Sequence, residues 1–219
     1  MTRAFHITFL VVLLTASCNQ VRGSGTLKEE TRQIPAFTEI EFNGGYNFKL
    51  VIDTKAGDSL DLKLSGDDNL LELVKTTVTN DRLVVESDKN LSPDNPLTVT
   101  VSPSNLTVIE INGAADGEVA GLATKELKLT ISGSGDIALA GEASKFTLDI
   151  SGAGDVKAKD LTSKNVVVSI AGAGNAEVCT SDTLEVDIAG SGDVSYYCNP
   201  KTVKQDISGS GNLEKMSKQ

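Results

Sequence analysis

Apolar and polar residues alternate along most of the chain, which is the pattern of β-strands that bury one face. In the second half a short alternating segment recurs four times: Leu127/Leu129/Ile131, Phe146/Leu148/Ile150, Val166/Val168/Ile170 and Leu184/Val186/Ile188. A second alternating segment follows each of these after a few residues, as at Ile137/Leu139 and Val156/Ala158. The pattern predicts repeats of two strands joined by a turn, with a loop leading to the next repeat.

The predicted turn has a recurrent sequence, Ile-small-Gly-small-Gly-Asp/Asn. Its copies are Ile131–Asp136, Ile150–Asp155, Ile170–Asn175, Ile188–Asp193, Ile207–Asn212 and the diverged Ile111–Asp116. Successive copies begin 18 to 20 residues apart. A fixed period of this length is typical of repeat architectures.

Two folds could accommodate these repeats, an array of hairpins or a coil in which equivalent strands stack in parallel. Runs rich in glycine fit poorly inside hairpin strands, so we expect the coil: an all-β, parallel β-helix with repeats of roughly 19 residues. Stacking would place the motif isoleucines in one core column, and Gln205, a polar residue at a core position, would suit a terminal cap.

The turn residues are the first site prediction. Their glycines would allow corners with positive φ and close approach of neighbouring coils. They are Gly133, Gly135, Asp136, Gly152, Gly154, Asp155, Gly172, Gly174, Asn175, Gly190, Gly192, Asp193, Gly209, Gly211 and Asn212.

Residues 31–110 lack the motif but also alternate. Predicted strands are Thr38–Phe42, Tyr46–Ile52, Ser59–Leu64, Arg82–Ser87 and Leu97–Val101, with a helical turn at Asp68–Val74 and a turn at Gly44-Gly45. We expect one domain over residues 31–213, regular from about residue 106 and less regular before it, followed by a tail over residues 214–219. A separate N-terminal β-domain is the alternative.

The N-terminus has the pattern of a secretion signal. Arg3 precedes an apolar run, Ile7–Leu14, that is too short to span a bilayer. Cys18 directly follows Leu14-Thr15-Ala16-Ser17, which resembles the lipobox at which bacteria lipidate a cysteine, although Thr15 replaces the usual branched apolar residue.

These features predict a lipid-anchored envelope protein. We expect a signal peptide over residues 1–17, lipidation of Cys18 and a flexible polar tether over residues 18–30. Asn19, rather than Asp, follows the cysteine, which favours the outer membrane. Ordinary cleavage that leaves Cys18 free is the alternative.

The other two cysteines predict a disulfide. Cys179 and Cys198 each stand nine residues before the next motif isoleucine, so stacking brings them to the same corner of adjacent coils. Oxidation is allowed outside the cytoplasm. Two free thiols that fill the column are the alternative.

Charge and histidine content exclude several functions. The net charge is −10, and loss of residues 1–17, with one arginine and no acid, makes it −11. This argues against nucleic acid, and against acidic polymers unless a divalent cation bridges them. The single histidine, His6, lies in the signal, which excludes Ser-His-Asp and Cys-His catalysis and histidine metal sites. We predict no catalytic residue, metal site or cofactor.

The Asp/Asn position of the motif is the best candidate for chemistry. Stacking would align Asp116, Asp136, Asp155, Asn175, Asp193 and Asn212 at one corner. Such a column could bind calcium with backbone carbonyls, but we favour Asx turns in which each side chain bonds nearby backbone N–H groups. Among the aromatic residues, Tyr196 is expected in the core, and Tyr197 is a candidate for ligand contact.

The chain resembles the bacterial "putative auto-transporter adhesin head GIN domain" family. The resemblance rests on Ile34–Ile40 (IPAFTEI), Gly66–Leu70 (GDDNL), Ile111-Asn112-Gly113, the repeated Gly turns and Tyr196–Pro200 (YYCNP), where Cys198 replaces a small residue. It implies a right-handed β-helix and secretion, often as a lipoprotein, and it supplies no catalytic residues.

Three functions follow as hypotheses. The first is a non-enzymatic adhesion or binding module with a glycan or extracellular protein as ligand. The second is a scaffold that self-associates end to end, as exposed sheet edges allow. The third is a carbohydrate-active enzyme, which would need clustered carboxylates, whereas Asp149, Glu185 and Asp187 fall at outward strand positions.

Overall fold

The computed structural model describes residues 20–217, and nearly all of its regular structure is strand. Cys18 and the predicted signal lie outside the described residues. The elements are β1 Gln20–Arg22, β2 Leu27–Pro35, β3 Glu39–Gly45, β4 Asn47–Val51, β5 Ser59–Asp67, α1 Asp68–Leu71, β6 Lys75–Thr79, β7 Arg82–Glu86, β8 Asn90–Ser92, β9 Thr98–Val101, β10 Val108–Ala114, β11 Gly117–Gly172, β12 Ala176–Gly190, β13 Asp193–Tyr197, β14 Thr202–Gly209 and β15 Asn212–Lys215. The all-β class is confirmed.

Thirteen of these strands form one sheet, which curls into a nearly closed, barrel-like wall around a single aliphatic core. The extended segment β11 has 56 residues and would span about 185 Å if straight. Its first residues pair with β4 and its last with β12, so it winds around the core.

Successive repeats pair in parallel, residue for residue. Ile111 pairs with Ile131, Ile170 with Ile188, and Ile188 with Ile207. The motif isoleucines at 111, 131, 150, 170 and 188 are at most 1% exposed. A hairpin array would pair its strands antiparallel, so the hairpin alternative is wrong for these repeats.

The structure contains a further repeat that the motif search missed. β3 pairs in parallel with β10, which aligns Phe42 with Ile111 and Gly44 with Gly113. Gly44 has φ 135°, close to the 138° of Gly113. Residues 42–45 (FNGG), interpreted as a simple turn, are therefore a seventh copy whose isoleucine is replaced by phenylalanine.

One end of the sheet is closed by elements outside the repeats. β2, β5 and β6 join by antiparallel pairing, and α1 buries Leu70 and Leu71. The Arg32 guanidinium on β2 donates to the carbonyl oxygens of Leu71 (2.8 Å) and Val74 (2.7 Å), which ties β2 to the segment before β6. The predicted helical turn is found as α1.

Strands extend beyond both ends of the predicted domain of residues 31–213. The expected flexible tether is ordered from Gln20, because β1 pairs with β8 and β2 pairs with β5. Its polar composition is that of exposed strands at the sheet edge. The expected tail also begins late, since β15 continues to Lys215.

The other end of the repeat stack is open. Val203 is 42% exposed and Gln205 is exposed, whereas Leu184 and Val186, their partners on β12, are buried. Gln205 therefore lies in the last repeat, on β14, as predicted, but within the described residues no strand covers β14.

The predicted disulfide is confirmed. Cys179 and Cys198 are bonded, with their Cα atoms 5.3 Å apart. The ladder pairs Cys179 with Tyr197, so Cys198 lies one residue past the expected register and takes φ 72°. The bond fastens the last repeat to the one before it.

The first and second glycines of the motif have different roles. The expectation of positive φ at both positions is therefore wrong for most second glycines. The first has φ of 137° to 147° in the copies from Gly133 to Gly209. Of the second, only Gly135 has positive φ. At Gly192 the requirement is space, because a Cβ atom would lie 2.1 Å from the carbonyl oxygen of Gly174.

We predict that Gly152→Ala destabilises the protein by roughly 2 kcal/mol or more, because φ is 140° and the new Cβ would lie 2.1 Å from the Gly133 carbonyl oxygen. Gly57→Ala is the matched control, since a Cβ there meets nothing within 4 Å. Urea unfolding of both variants measures the difference. Equal stability of the two would contradict the glycine-on-glycine contact.

Candidate functional site

The Asp/Asn column forms a hydrogen-bonded ladder between repeats. Asp116 Oδ1 accepts from the backbone N–H of Asp136 (2.9 Å), and Asp155 Oδ1 accepts from that of Asn175 (3.1 Å). Asn175 Oδ1 and Asp193 Oδ1 accept in the same way from Asp193 and Asn212. The prediction of local Asx turns is thus wrong. Each side chain accepts from the backbone N–H of the equivalent residue one repeat later, and not from a nearby backbone N–H of its own turn.

This ladder has a structural consequence. One oxygen of Asp116, Asp155, Asn175 and Asp193 accepts from a backbone donor, and Asn175 also donates its side-chain N–H to Asp155 Oδ1 at 2.8 Å. Within residues 20–217 no group of three or more potential metal ligands occurs. The arrangement holds consecutive Gly turns in register.

A groove follows the edge where one repeat passes to the next, at the positions of the predicted loops, most of which are strand in the structure. Its larger part, about 850 Å³, is lined by residues between Ser104 and Val108, by Ala123–Lys128, and by Lys145 and Thr147. A second part of about 410 Å³ shares Ala123, Thr124 and Lys125 and extends toward Ser181. We call the two parts together the loop-edge groove.

The lining of the loop-edge groove is polar and locally basic. It carries four lysines and two glutamates. The hydroxyl side chains are Ser104, Thr107, Thr124, Ser144, Thr147, Thr162, Ser163 and Ser181. No aromatic residue lines either part. On a chain with a net charge of −10 this is a distinct electrostatic environment.

Two of the groove lysines are available for an external ligand. Lys145 pairs with Glu126 at 3.7 Å, and Lys128 pairs with Asp149 at 3.3 Å. Lys125 and Lys164 form no ion pair within the described part of the chain and are exposed.

Ser163 is the unusual member of the lining. It is 2% exposed, and its Oγ has no hydrogen-bond partner within residues 20–217. The neighbouring backbone is fixed, because the buried Thr180 hydroxyl donates to the Lys164 carbonyl oxygen at 2.7 Å. A buried hydroxyl without a partner is destabilising unless something else supplies the bond.

Sequence reasoning missed this groove, although a signal exists. A hydroxyl-lysine pair recurs three times within β11, at Thr124-Lys125, Ser144-Lys145 and Ser163-Lys164. Each lies five or six residues before a motif isoleucine, so the repeat stack aligns the pairs along one edge. The net charge of the whole chain argued against acidic ligands, but it is a sum over all residues and does not report the local charge of the groove lining.

A second group of charged side chains is centred on Arg82. Arg82 on β7 contacts Glu39, Glu41 and Glu110 at 2.9 to 3.0 Å. The hydrogen bond from Asn43, together with Arg82, lowers the pKa of Glu41, and bonding to Glu41 and Glu39 raises the pKa of Arg82. Both shifts stabilise the ionised forms, which is the effect of structural ion pairs.

The aromatic pair near the C-terminus lies beside a further ion pair. Tyr196 packs partly buried against the core, as expected. Tyr197 is partly exposed and lies below the Lys159 ammonium, which is 5.8 Å from the ring centroid. Lys159 also pairs with Glu177 at 3.3 Å, and this bond raises the Lys159 pKa. The ring is therefore engaged by the protein's own lysine.

Asp67 is a fully buried carboxylate that fastens the N-terminal segment. Its oxygens accept hydrogen bonds from the backbone N–H groups of Gly25, Asp94 and Asn95 and from the Asn95 side chain, at 2.7 to 3.1 Å. Burial alone would raise its pKa, but these four donors hold the pKa below its usual value.

We therefore predict that Asp67→Asn lowers the melting temperature at pH 7 and that the difference from wild type narrows in acid. A lowered folded-state pKa gives stability that is present above the unfolded value of about 3.9 and is lost as pH falls through the folded value. Melting curves from neutral pH to below pH 4 measure this. Asp58→Asn, at an exposed position, should have little effect at any pH. A pH-independent difference for Asp67→Asn would contradict the assignment.

These features define an all-β repeat protein with one closed end, one open end and a polar groove along its loop edge. The chain belongs to the family described as "Putative auto-transporter adhesin, head GIN domain", whose model matches residues 36–200. The resemblance seen in the sequence is thereby confirmed.

Solved structures with the same fold come from Bacteroides and Parabacteroides species. A "putative adhesin" from Bacteroides fragilis matches with a TM-score of 0.72 and 20% identity over 90% of this chain and 100% of its own. A "putative adhesin" from Parabacteroides distasonis matches with a TM-score of 0.58 and 21% identity over the same shares of the two chains. A "putative lipid binding protein" from Parabacteroides distasonis matches with a TM-score of 0.50 and 20% identity over 90% and 99%.

At these identities the solved structures show the fold alone. No curated protein matches the chain. No helix among residues 20–217 is long and apolar enough to cross a bilayer.

Proposed function

We propose that this chain is a non-enzymatic adhesion module that holds an extended acidic glycan in the loop-edge groove. The observation that carries the proposal is the pair of exposed lysines, Lys125 and Lys164, which share one groove and form no ion pair within the described residues. The family and its structural relatives, which are described as adhesins, support the adhesion class.

The chemistry of the groove selects among ligand classes. Lys125 and Lys164 supply positive charge, and the surrounding hydroxyls supply donors and acceptors at short intervals. Neutral sugars are commonly held by stacking on aromatic rings, and the lining contains none. An acidic glycan, with carboxylate or sulfate groups between hydroxyls, matches both features.

A glycan array with the mature chain tests the proposal. We expect acidic glycans to bind and neutral ones not to bind. The double variant Lys125→Glu/Lys164→Glu should weaken binding at least about tenfold, a loss of about 1.4 kcal/mol. Lys55→Glu, an exposed lysine outside the groove, should bind as wild type does.

Full affinity in the double variant Lys125→Glu/Lys164→Glu would remove the groove from the proposal.

We also propose that the chain is a right-handed parallel β-helix, with one domain that begins near residue 20 rather than residue 31. The in-register parallel pairing of the repeats supports a coil. The handedness is that of nearly all parallel crossovers, and it is also what the family resemblance implies.

The membrane anchor is a third part of the proposal. Lipidation at Cys18 and outer-membrane retention rest on the sequence pattern of residues 3–19. Because β1 begins at Gln20, only one residue would separate the lipidated cysteine from the folded body. The closed end would then lie directly at the membrane surface.

We predict that Cys18→Ala releases the protein from membranes into the soluble fraction, since a lipid would be the anchor. Fractionation followed by immunoblotting measures this, with Cys18→Ala compared against wild type. A wild-type protein whose N-terminus proves unmodified by mass spectrometry would contradict the anchor.

The two other functions lack a supporting observation. A filament of stacked copies needs two open ends, and one end is closed by α1, β2 and β6. For enzyme activity, Asp149 is paired with Lys128, and Glu185 and Asp187 are exposed on a sheet face.

A further inference from the structure

The last long strand presents an unpaired edge. β14 pairs with β12 on one side, and within residues 20–217 no strand pairs with its other side. Seven of its eight residues are exposed. An edge of this length, with free backbone N–H and C=O groups, is a template for a further strand.

The core is also open beneath this edge. The inward column of β14 consists of Val203, Gln205 and Ile207, with Val203 exposed and Ile207 partly buried. The opposite end of the molecule has no such opening, because α1 buries leucines there and Arg32 closes the gap between β2 and the segment before β6. β2 and β6 at that end also pair on one side only, but the core there is covered. Among the described residues, the β14 end combines an unpaired edge with an open core.

The sequence of β14 is self-complementary about Gln205. In an antiparallel pair of two copies centred on this residue, Lys204 lies opposite Asp206 of the second copy, and Asp206 lies opposite Lys204. On the inward face, Val203 of each copy lies opposite Ile207 of the other copy. Directly opposed residues share a face of the sheet, so two ion pairs would form on the outer face and two apolar pairs over the core.

The charges on the outer face support the same pairing. Asp206 lies beside Asp187 of β12 in the parallel register, and both are exposed. Neither carboxylate has a cation within the described residues. Like charges side by side are destabilising, and Lys204 of a second copy would arrive next to Asp206.

We infer that β14 is the interface of a two-fold symmetric dimer, in which the open ends of two copies meet by antiparallel pairing of β14 with β14 about Gln205. A two-fold interface uses the same patch on both subunits and closes the assembly at two copies. Gln205 then has a role that an apolar residue could not have, since the two amides meet at the axis and can hydrogen-bond each other.

The inference separates a dimer from a filament. A two-fold pair uses the β14 edge of both copies, so this interface closes and the assembly stops at two. It is independent of the loop-edge groove, which lies at the loops and not on β14.

Charge reversal tests the inference. The mature chain with Cys18→Ala is used, so that no lipid contributes to association, and its mass is followed by analytical ultracentrifugation over a concentration series. We expect a monomer–dimer equilibrium. Lys204→Asp places Asp opposite Asp and Asp206→Lys places Lys opposite Lys, so each variant alone should raise the dissociation constant at least about tenfold.

An equimolar mixture of the two variants is the decisive sample. In the mixed pair every position again opposes unlike charges, so we expect the heterodimer at wild-type affinity. Lys55→Asp, an exposed lysine remote from β14, should leave dimerisation unchanged. Circular dichroism and melting of each variant separate loss of association from loss of folding.

Four outcomes would overturn the inference. Three are a wild-type chain that stays monomeric at every concentration, single variants that dimerise as wild type does, and a mixture that stays monomeric. The fourth is an assembly of more than two copies, since the proposed interface is closed.

Discussion

The structure depends on the contact of one glycine with the glycine one repeat earlier. A Cβ atom at Gly152, Gly172, Gly190 or Gly209 would lie 2.1 to 2.2 Å from the carbonyl oxygen of the preceding glycine in the column. Only glycine permits this approach, and only glycine adopts φ near 140° without strain. Neighbouring repeats can therefore stack in one register at this corner, and a shift by one residue would place a side chain against the backbone.

Several other features follow from this register. The isoleucine two residues before each first glycine enters the core, and the Asp or Asn that ends the motif reaches the backbone N–H of its equivalent in the next repeat. Cys179 and Cys198 come within bonding distance because they occupy nearly the same position of successive repeats. The repeating hydroxyl-lysine pairs are aligned into one groove for the same reason. A local backbone constraint thus organises both the core and the candidate binding surface.

The repeats, the core column and the disulfide were predictable because each depends on spacing along the chain, which a sequence displays directly. The copy at residues 42–45 was not found because Phe42 fills the isoleucine position with a different side chain, although its packing role is the same. The order of residues 20–30 was also missed. It depends on Asp67, more than 40 residues away, whose carboxylate accepts from Gly25, and no local pattern reports such a bond. The hydrogen-bond partner predicted for the Asp/Asn column was wrong for a related reason. The same motif sequence is compatible with a side chain that bonds within its own turn and with one that bonds to the next repeat.

The central claim is that successive repeats pair in parallel, residue for residue, and an engineered disulfide tests it most directly. Ser169 pairs with Asp187 in the ladder, whereas Glu185 pairs with Val167 and is displaced by two residues. In a Cys18→Ala background, Ser169→Cys/Asp187→Cys should oxidise readily, because directly paired strand residues lie within the Cα separation of about 4.4–6.8 Å that disulfides accept. Ser169→Cys/Glu185→Cys, on the same face but out of register, should remain reduced under the same conditions. Equal oxidation of the two pairs, or preferential oxidation of the displaced pair, would contradict the register on which the structure depends.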